Sequence, residues 1–302
     1  MQRRAVSWTK KPLGKTSLLQ EAFQTISNTA RSKIRLDQIN LKISLRGEPM
    51  MTTEGLILKE QSVGESDKIV TVLTKTHGVI RCFSRRAKKL SSAVSSACQM
   101  MTYSRLDIYE GRDKYIINNA QVIKSFFEAF ADLDRLSLGY YICETAIKMI
   151  PENMPSEDYL QLVLNCLYAI SVKNKPLYQI KAVYELRMML LSGVCPNILF
   201  CCECGAYESD NGQMYFDPYE NAMYCPHCCF RTGNAPKCLA VSMGCITAVR
   251  FCMTAEPKKI LSFTLSPASM QDMEKFCERF FLAQNDFYCP TLDFYKSVKE
   301  LN

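Results

Sequence analysis

The 302-residue chain is predicted to be an α+β protein in which a small β-barrel precedes a helical bundle with a cysteine-rich insertion. Three observations predict this fold class. Apolar residues alternate in short runs between Glu54 and Val122, as expected of half-buried strands. After Phe126 the apolar residues recur with a helical period. Two Cys-x-x-Cys pairs, which begin at Cys201 and Cys225, then interrupt the helical pattern.

The barrel is predicted to occupy residues 51–125. His77-Gly78 and the segment Glu110–Asp113 have turn-forming residues, and the small polar residues of Ser91–Ala97 suit a loop or a short helix. Five short strands within about seventy residues fit an oligonucleotide-binding (OB) barrel. The predicted strands are Gly55–Lys59, Lys68–Thr74, Val79–Phe83, Leu106–Tyr109 and Tyr115–Val122.

Residues 126–302 are predicted to form the helical domain. Ser156 is a suitable N-cap, and apolar residues follow it at i, i+3 and i+4 from Leu160. A second apolar stripe begins at Val183 and ends near Gly193, and a third follows Pro267, which suits a first helical turn. We expect these stripes to form the core of a bundle and not a cofactor site.

Residues 1–50 differ from the rest, because they are polar and basic with one weak amphipathic stretch. Arg46-Gly47-Glu48, just ahead of Met50 and Met51, has the codon composition of a translated ribosome-binding site. The hypothesis is that the natural start is Met50 or Met51 and that the leader is an artefact of start-site assignment. The alternative is a genuine disordered basic arm.

Charge is distributed unevenly along the chain. The net charge is +7 overall, made up of +7 in residues 1–50, +5 in residues 51–125 and −5 in residues 126–302. A basic barrel on an acidic body indicates a polyanion-binding protein with its site in the barrel. The alternative is that these basic residues only solvate a small sheet.

The sequence contains no membrane or secretion signal. No run approaches the roughly 20 apolar residues of a membrane helix, and the basic start has no apolar core behind it. A cytoplasmic protein that does not contact membranes is therefore predicted.

Its 16 cysteines are expected to be reduced, so regularly spaced ones become candidate metal ligands.

The two cysteine pairs predict one structural zinc ion per chain. Twenty residues separate Cys201-x-x-Cys204 from Cys225-x-x-Cys228, which is ligand spacing typical of a zinc ribbon, here placed at residues 196–232. Free thiols or redox chemistry are the alternatives. Four thiolates close the coordination shell, so the ion would not be catalytic.

Three neighbours of the ligands are excluded from the predicted metal site. Cys202 and Cys229 do not keep the paired spacing, and His227 is expected to be a solvated side chain. Gly205 follows the first pair, where a knuckle needs a residue that tolerates positive φ.

The chain is also predicted not to be an enzyme, because it has only 2 histidines and no catalytic motif.

Several segments resemble the RecO family of DNA repair proteins. The segments Glu54–Lys59 and Gly64–Val70 resemble its first hairpin, and Thr74–Ile80 resembles the next turn. Ile198–Gly205 resembles the start of its ribbon, and the order of barrel, bundle and interrupting ribbon is the same. Tyr295–Val298 resembles its closing helix. The resemblance covers residue 51 to the end. Two segments depart from it: the leader, and Arg85–Lys89, a basic run that contains no glycine.

The resemblance implies a recombination mediator that is not an enzyme. Such proteins bind single- and double-stranded DNA, anneal complementary strands and assist recombinase loading. The implied partners are RecR, the acidic C-terminal tail of single-strand-binding protein and, indirectly, RecA, and the implied location is the nucleoid. Lys181 and Arg187 are candidates for binding that tail, with an ordinary solvated helix face as the alternative.

The DNA-binding residues are expected on the barrel and on the basic run after its third strand. Loops that leave an OB sheet border its nucleic-acid face. Phe83 or Tyr103 would stack on bases, or else belong to the barrel core. The predicted DNA-binding residues are Lys59, Arg81, Arg85, Arg86, Lys88, Lys89 and Arg105.

Three other functions fit the same pattern. A zinc-ribbon RNA-binding or transcription factor would prefer structured RNA to single-stranded DNA. A zinc-dependent hydrolase would lose turnover, without loss of fold, when Cys201 is replaced. A protein–protein adaptor would show no salt-sensitive binding of DNA.

Overall fold

The computed structural model describes residues 50–63, 67–84, 93–111, 114–127, 130 and 132–301. The strands are β1 Met50–Val63, β2 Asp67–Thr74, β3 Gly78–Ser84, β4 Thr102–Glu110, β5 Tyr115–Ser125, β6 Gln213–Asp217, β7 Ala222–Tyr224 and β8 Leu239–Ser242. The α-helices are α1 Ala93–Ala97, α2 Leu133–Met149, α3 Glu157–Val172, α4 Leu177–Leu191, α5 Pro226–Arg231, α6 Met243–Thr254, α7 Pro267–Ala283 and α8 Pro290–Leu301.

Strands β1 to β5 form a closed barrel in the order β1-β2-β3-β5-β4. All neighbouring pairs are antiparallel except β3 and β5, which are parallel. This order is OB-like. β1 is long enough to pair with both β2 and β4, and its register with β2 shifts between Ile57 and Lys59. Such a bulge bends the strand and so helps the barrel to close.

The barrel core consists of apolar side chains that alternate along each strand, such as Ile57, Val70, Ile80 and Leu106. Ala97, at the end of α1, also packs in this core. The alternation leaves the intervening side chains, including Lys59 and Arg81, on the outer face.

The turn between β2 and β3 attaches the barrel to the helices. Asn153 N donates to His77 O at 2.9 Å, and Ser156 N donates to Lys75 O at 3.0 Å. Gly78 has φ of +65°, and a Cβ there would lie 2.1 Å from Pro151 O. Glycine is therefore required both for the backbone angle and for the close approach of the loop between α2 and α3.

The helical domain follows the predicted stripes. Ser156 precedes α3 as expected, but its hydroxyl donates to Met154 O at 3.0 Å instead of accepting from the helix. Pro267 is the first residue of α7. Buried aromatic rings hold the bundle together, because Tyr141 of α2 packs edge-on against Tyr184 of α4 and Phe281 of α7.

A three-stranded antiparallel sheet, in the order β7-β6-β8, interrupts the bundle. Its third strand, β8, lies beyond residue 232, so the small sheet extends past the predicted end of the ribbon. Phe216 of β6 contacts the rings of Phe276 and Phe280 on α7 at 4.6 and 5.8 Å between centroids. The sheet is thus packed directly on the helices. No helix in the described part of the chain has the length and apolar character needed to cross a membrane.

Candidate metal centre and nucleic-acid surface

The two Cys-x-x-Cys pairs come together beside the small sheet. The sulfur atoms of Cys201, Cys204, Cys225 and Cys228 all lie within 4.8 Å of one another, and those of Cys204 and Cys225 are 3.7 Å apart. A tetrahedral zinc ion with Zn–S bonds of about 2.3 Å needs sulfur atoms about 3.8 Å apart. The four side chains therefore have the spacing that zinc requires.

The backbone of both pairs turns so that their thiols face each other. Gly205 has φ of +76°, and its N–H donates to Cys201 O at 2.9 Å. A Cβ at this position would meet no other atom within 4 Å, so the positive φ, and not crowding, favours glycine. In the second pair, Cys225 is the N-cap of α5, and its sulfur accepts from Cys228 N at 3.5 Å.

The pKa values of two of these thiols move in opposite directions. Burial would raise the pKa of Cys201, but backbone hydrogen bonds from Cys204, Cys225 and Glu203 outweigh it and lower the pKa to about 7. Burial, followed by hydrogen bonds among the four thiols, raises the pKa of Cys228 to about 12. The cluster therefore holds thiols with unequal affinities for protons, and a bound dication would displace those protons.

The excluded neighbours stay outside this cluster. Within the described residues, the His, Cys, Asp and Glu group with metal-ligand spacing contains only the four predicted cysteines. Cys202 is exposed, and its backbone N–H donates to Met223 O of β7 at 2.8 Å. Cys229 is buried, and His227 is exposed.

Lys59 and Arg81 lie in one row across three strands of the barrel. Lys59 of β1 is opposite Thr71 of β2, which is opposite Arg81 of β3. Residues opposite each other share a face, and adjacent strands are about 4.8 Å apart. The row therefore places two cations about 10 Å apart between Cα atoms. Both are exposed, and neither makes an ion pair with another residue of the described ranges. We call this set the cationic row.

Arg105 differs from the cationic row because a carboxylate offsets its charge. It lies opposite Glu54 of β1, and Arg105 Nη2 is 3.3 Å from Glu54 Oε1. Tyr103 donates to Glu54 Oε2 at 2.6 Å, and this hydrogen bond is the largest influence that lowers the pKa of Glu54. Tyr103 and Phe83 are half-buried. The other predicted DNA-binding residues lie outside the described residues: Arg85, Arg86, Lys88 and Lys89.

A groove of about 860 Å³ separates the barrel from the helices. The cationic row lies in its barrel wall, and α2 and the start of α8 form the opposite wall. We call it the barrel–helix groove; sequence reasoning did not identify it. Its lining residues are Leu58, Lys59, Glu60, Gln61, Thr71, Arg81, Met100, Phe127, Tyr140, Glu144, Ile147, Lys148, Pro290 and Thr291.

The two candidates for tail binding are structural residues, so the solvated helix face also proposed for them is wrong. Lys181 is fully buried, with Nζ 2.8 Å from Glu185 and 2.7 Å from Glu278. Arg187 donates from Nη1 to Cys252 O at 3.0 Å and so binds the end of α6. An apolar stripe in the sequence indicates which face of a helix is buried. It does not show that a lysine or arginine on that face has carboxylate or carbonyl partners there.

Comparisons with known proteins agree with the order of these elements. The family model for the recombination protein O N-terminal domain matches residues 50–126, and the one for the recombination protein O C-terminal domain matches residues 131–285. The chain is 28% identical to a protein of Acetivibrio thermocellus named DNA repair protein RecO. That match covers 251 residues, which are 83% of this chain and 98% of the relative.

Two further relatives with the same name match over nearly their whole length. The protein of Thermoanaerobacter sp. is 24% identical over 83% of this chain and 99% of its own length. The protein of Symbiobacterium thermophilum is 21% identical over 83% of this chain and 98% of its own length. The family models together span the barrel and most of the helical domain, and the chain therefore belongs to the recombination protein O (RecO) family.

Proposed function

We propose that this chain acts in DNA repair by homologous recombination, as a mediator that is not an enzyme. In this role it binds single- and double-stranded DNA, anneals complementary strands and assists recombinase loading. Its family membership supports the repair role. The observation that carries DNA binding is the cationic row of Lys59 and Arg81 on an OB-like barrel, because neither cation makes an ion pair with another described residue.

The four-cysteine cluster is proposed to hold one structural zinc ion per chain. Sulfur is the ligand that zinc takes in closed structural sites, and the sulfur–sulfur distances fit it. With four thiolates bound, no coordination position is left for water or a substrate. The metal would therefore stabilise the small sheet and the loops around it, and it would not take part in turnover.

The proposed partners are RecR, the acidic tail of single-strand-binding protein and, indirectly, RecA. This role implies a location in the cytoplasm, at the nucleoid. Because Lys181 and Arg187 are engaged inside the helical domain, an acidic tail that binds there would need other cations.

Strand annealing tests the proposal directly. The purified protein is mixed with complementary oligonucleotides, with and without the cognate single-strand-binding protein, and duplex formation is followed by fluorescence. We expect annealing in both conditions. Absence of annealing together with a strong preference for structured RNA would favour an RNA-binding function instead.

A double variant tests the cationic row. Lys59→Ala/Arg81→Ala should weaken binding to single strands at low salt and reduce the salt slope by about 1.4, since each phosphate contact adds about 0.7. The matched control is Lys258→Ala/Lys259→Ala, which removes the same charge from an exposed turn outside the barrel. Equal losses in both variants would show a net-charge effect, and an unchanged slope in the first would place the site elsewhere.

A further inference from the structure

The barrel–helix groove combines charge with an exposed aromatic ring. Its barrel wall is an outer face of the sheet, since Val70 and Val72 on either side of Thr71 point into the barrel core. Thr71 is nevertheless only 6% exposed, so it forms the floor of the groove between Lys59 and Arg81.

The charges inside the groove favour an anion. It contains two carboxylates, and each has a cation of its own: Glu60 accepts from Lys68 at 2.5 Å, and Glu144 accepts from Lys148 at 2.6 Å. Glu144 also accepts from the Thr291 hydroxyl. Since both carboxylates are offset in this way, the charge left for a ligand is that of the cationic row.

Phe127 gives the groove a feature that phosphate binding alone does not need. The residue is 46% exposed although its side chain has no polar atom, and it lines the same groove as the cationic row and Tyr140 of α2. An exposed ring beside a track of cations is the arrangement that binds single strands, because unpaired bases stack on the ring while cations hold the backbone.

We propose that the barrel–helix groove binds single-stranded DNA, with a base stacked on Phe127 and the backbone held by Lys59 and Arg81. This inference rests on the proposed function and deepens it, because it assigns the single-strand site to a groove shared by the barrel and the helices. Bases inside a duplex are already stacked and paired, so duplex DNA reaches only the cations and not the ring.

The test compares two ligands at one salt concentration. Fluorescence anisotropy is measured with a labelled thymidine 20-mer and with a labelled 20-base-pair duplex. Phe127→Ala should weaken binding of the 20-mer on the order of tenfold, the effect expected from one lost stacking contact. It should leave duplex affinity within about twofold and the salt slope unchanged, because no phosphate contact is removed. The control is Phe230→Ala, which removes an exposed ring from α5, outside the groove.

A second variant keeps the test decisive if Phe127→Ala does not fold. Phe127→Trp should retain affinity for the 20-mer, and its emission, after subtraction of the wild-type signal from Trp8, should be quenched by single strands and not by duplex. Equal losses on both ligands in Phe127→Ala, or no quenching in Phe127→Trp, would overturn the proposal. Failure of the wild-type protein to bind either ligand would instead overturn the proposed function.

Discussion

Cys202 and Cys204 are both exposed and lie two residues apart, yet only one of them belongs to the cluster. The turn that begins at Cys201 directs the Cys204 sulfur to within 3.7 Å of Cys225. Cys202 instead joins the turn to β7 through its backbone N–H. The Cys-x-x-Cys spacing predicted Cys204, and not Cys202, as a ligand, because two intervening residues are what a metal knuckle needs.

These two cysteines make a matched pair for testing the metal site. Cys204→Ser should release the zinc and lower the melting temperature on the order of 10 °C, because metal-binding energy is partly folding energy. Cys202→Ser should keep one zinc per chain and the wild-type melting temperature. Elemental analysis and thermal unfolding measure both. Metal-free wild-type protein, or the same loss in both variants, would contradict the assignment.

The buried Lys181 shows what a sequence pattern does not reveal about a single residue. It bridges Glu185, on its own helix α4, and Glu278 of α7. Burial is the largest influence on the pKa of Glu185 and raises it, whereas Lys181 opposes that effect. The second carboxylate oxygen of Glu185 has no hydrogen-bond partner among the described residues. The anionic form of Glu185 is therefore favoured by Lys181 and by the Tyr141 hydroxyl, which donates to Glu185 Oε1 at 2.8 Å.

Removal of the lysine should leave an uncompensated buried charge. Lys181→Met is expected to lower the free energy of unfolding by about 3–5 kcal/mol. Glu185→Gln combined with Lys181→Met should recover part of that loss, because the amide carries no charge to bury. Urea unfolding of the wild type and the variants measures both. A double variant no more stable than the single one would show that packing, and not charge, dominates.

At the scale of elements, the barrel was more predictable than the small sheet. Alternation indicated all five barrel strands, and the turn at Gly78 and the helix at Ala93–Ala97 lie where turn-forming and small residues stand. None of the three strands of the small sheet was predicted, because they are only 5, 3 and 4 residues long, and the pairing of β8 with β6 depends on contacts across some twenty-five residues of chain. Short strands of this kind carry too few residues for a period to appear.

The charge run between β3 and α1 remains a prediction from sequence. Replacing Arg85, Arg86, Lys88 and Lys89 with alanine should weaken DNA binding far more at low salt than at high salt. It should do so with little dependence on base sequence, because phosphate contacts carry no sequence information. Zinc content and melting temperature should not change. Titrations at several salt concentrations test this, and wild-type affinity with a wild-type salt slope would show that the site lies elsewhere.

For the molecule as a whole, the sequence indicated the order of the modules but not the surface they create together. Lys59 and Arg81 were predicted as DNA-binding residues from their charge and the expected barrel, and the strand register then placed them in one row. Phe127 was not predicted, because its exposure in the groove is a property of the folded chain and not of the sequence pattern. Arg105 was predicted as a DNA-binding residue together with them. Its neighbour Glu54, which offsets its charge, is revealed only by the pairing of β1 with β4.

The leader can be tested on the whole chain. A truncated chain that begins at Met50, where β1 starts, should unfold at the same temperature as the full chain. Residues 1–49 show little core-forming pattern, and the barrel closes through strands that all lie after them. Calorimetry of both chains measures this. A drop of more than a few degrees on truncation would show that the leader contributes to the folded core.

The burial of the cysteines has a consequence for the chemical reactivity of the whole chain. All 16 cysteines are free thiols in the described residues, and only Cys202 and Cys204 are exposed. Burial raises the pKa of Cys143 and Cys166 to about 12, so these core thiols are inert toward alkylating reagents. With zinc protecting Cys204, Cys202 is the one exposed thiol left to react; because burial also raises the pKa of Cys202, we expect it to react more slowly than a free cysteine but before the core thiols. Chelation would expose the ligand cysteines to the reagent, so the number of rapidly alkylated thiols reports directly how much of the protein still carries its metal.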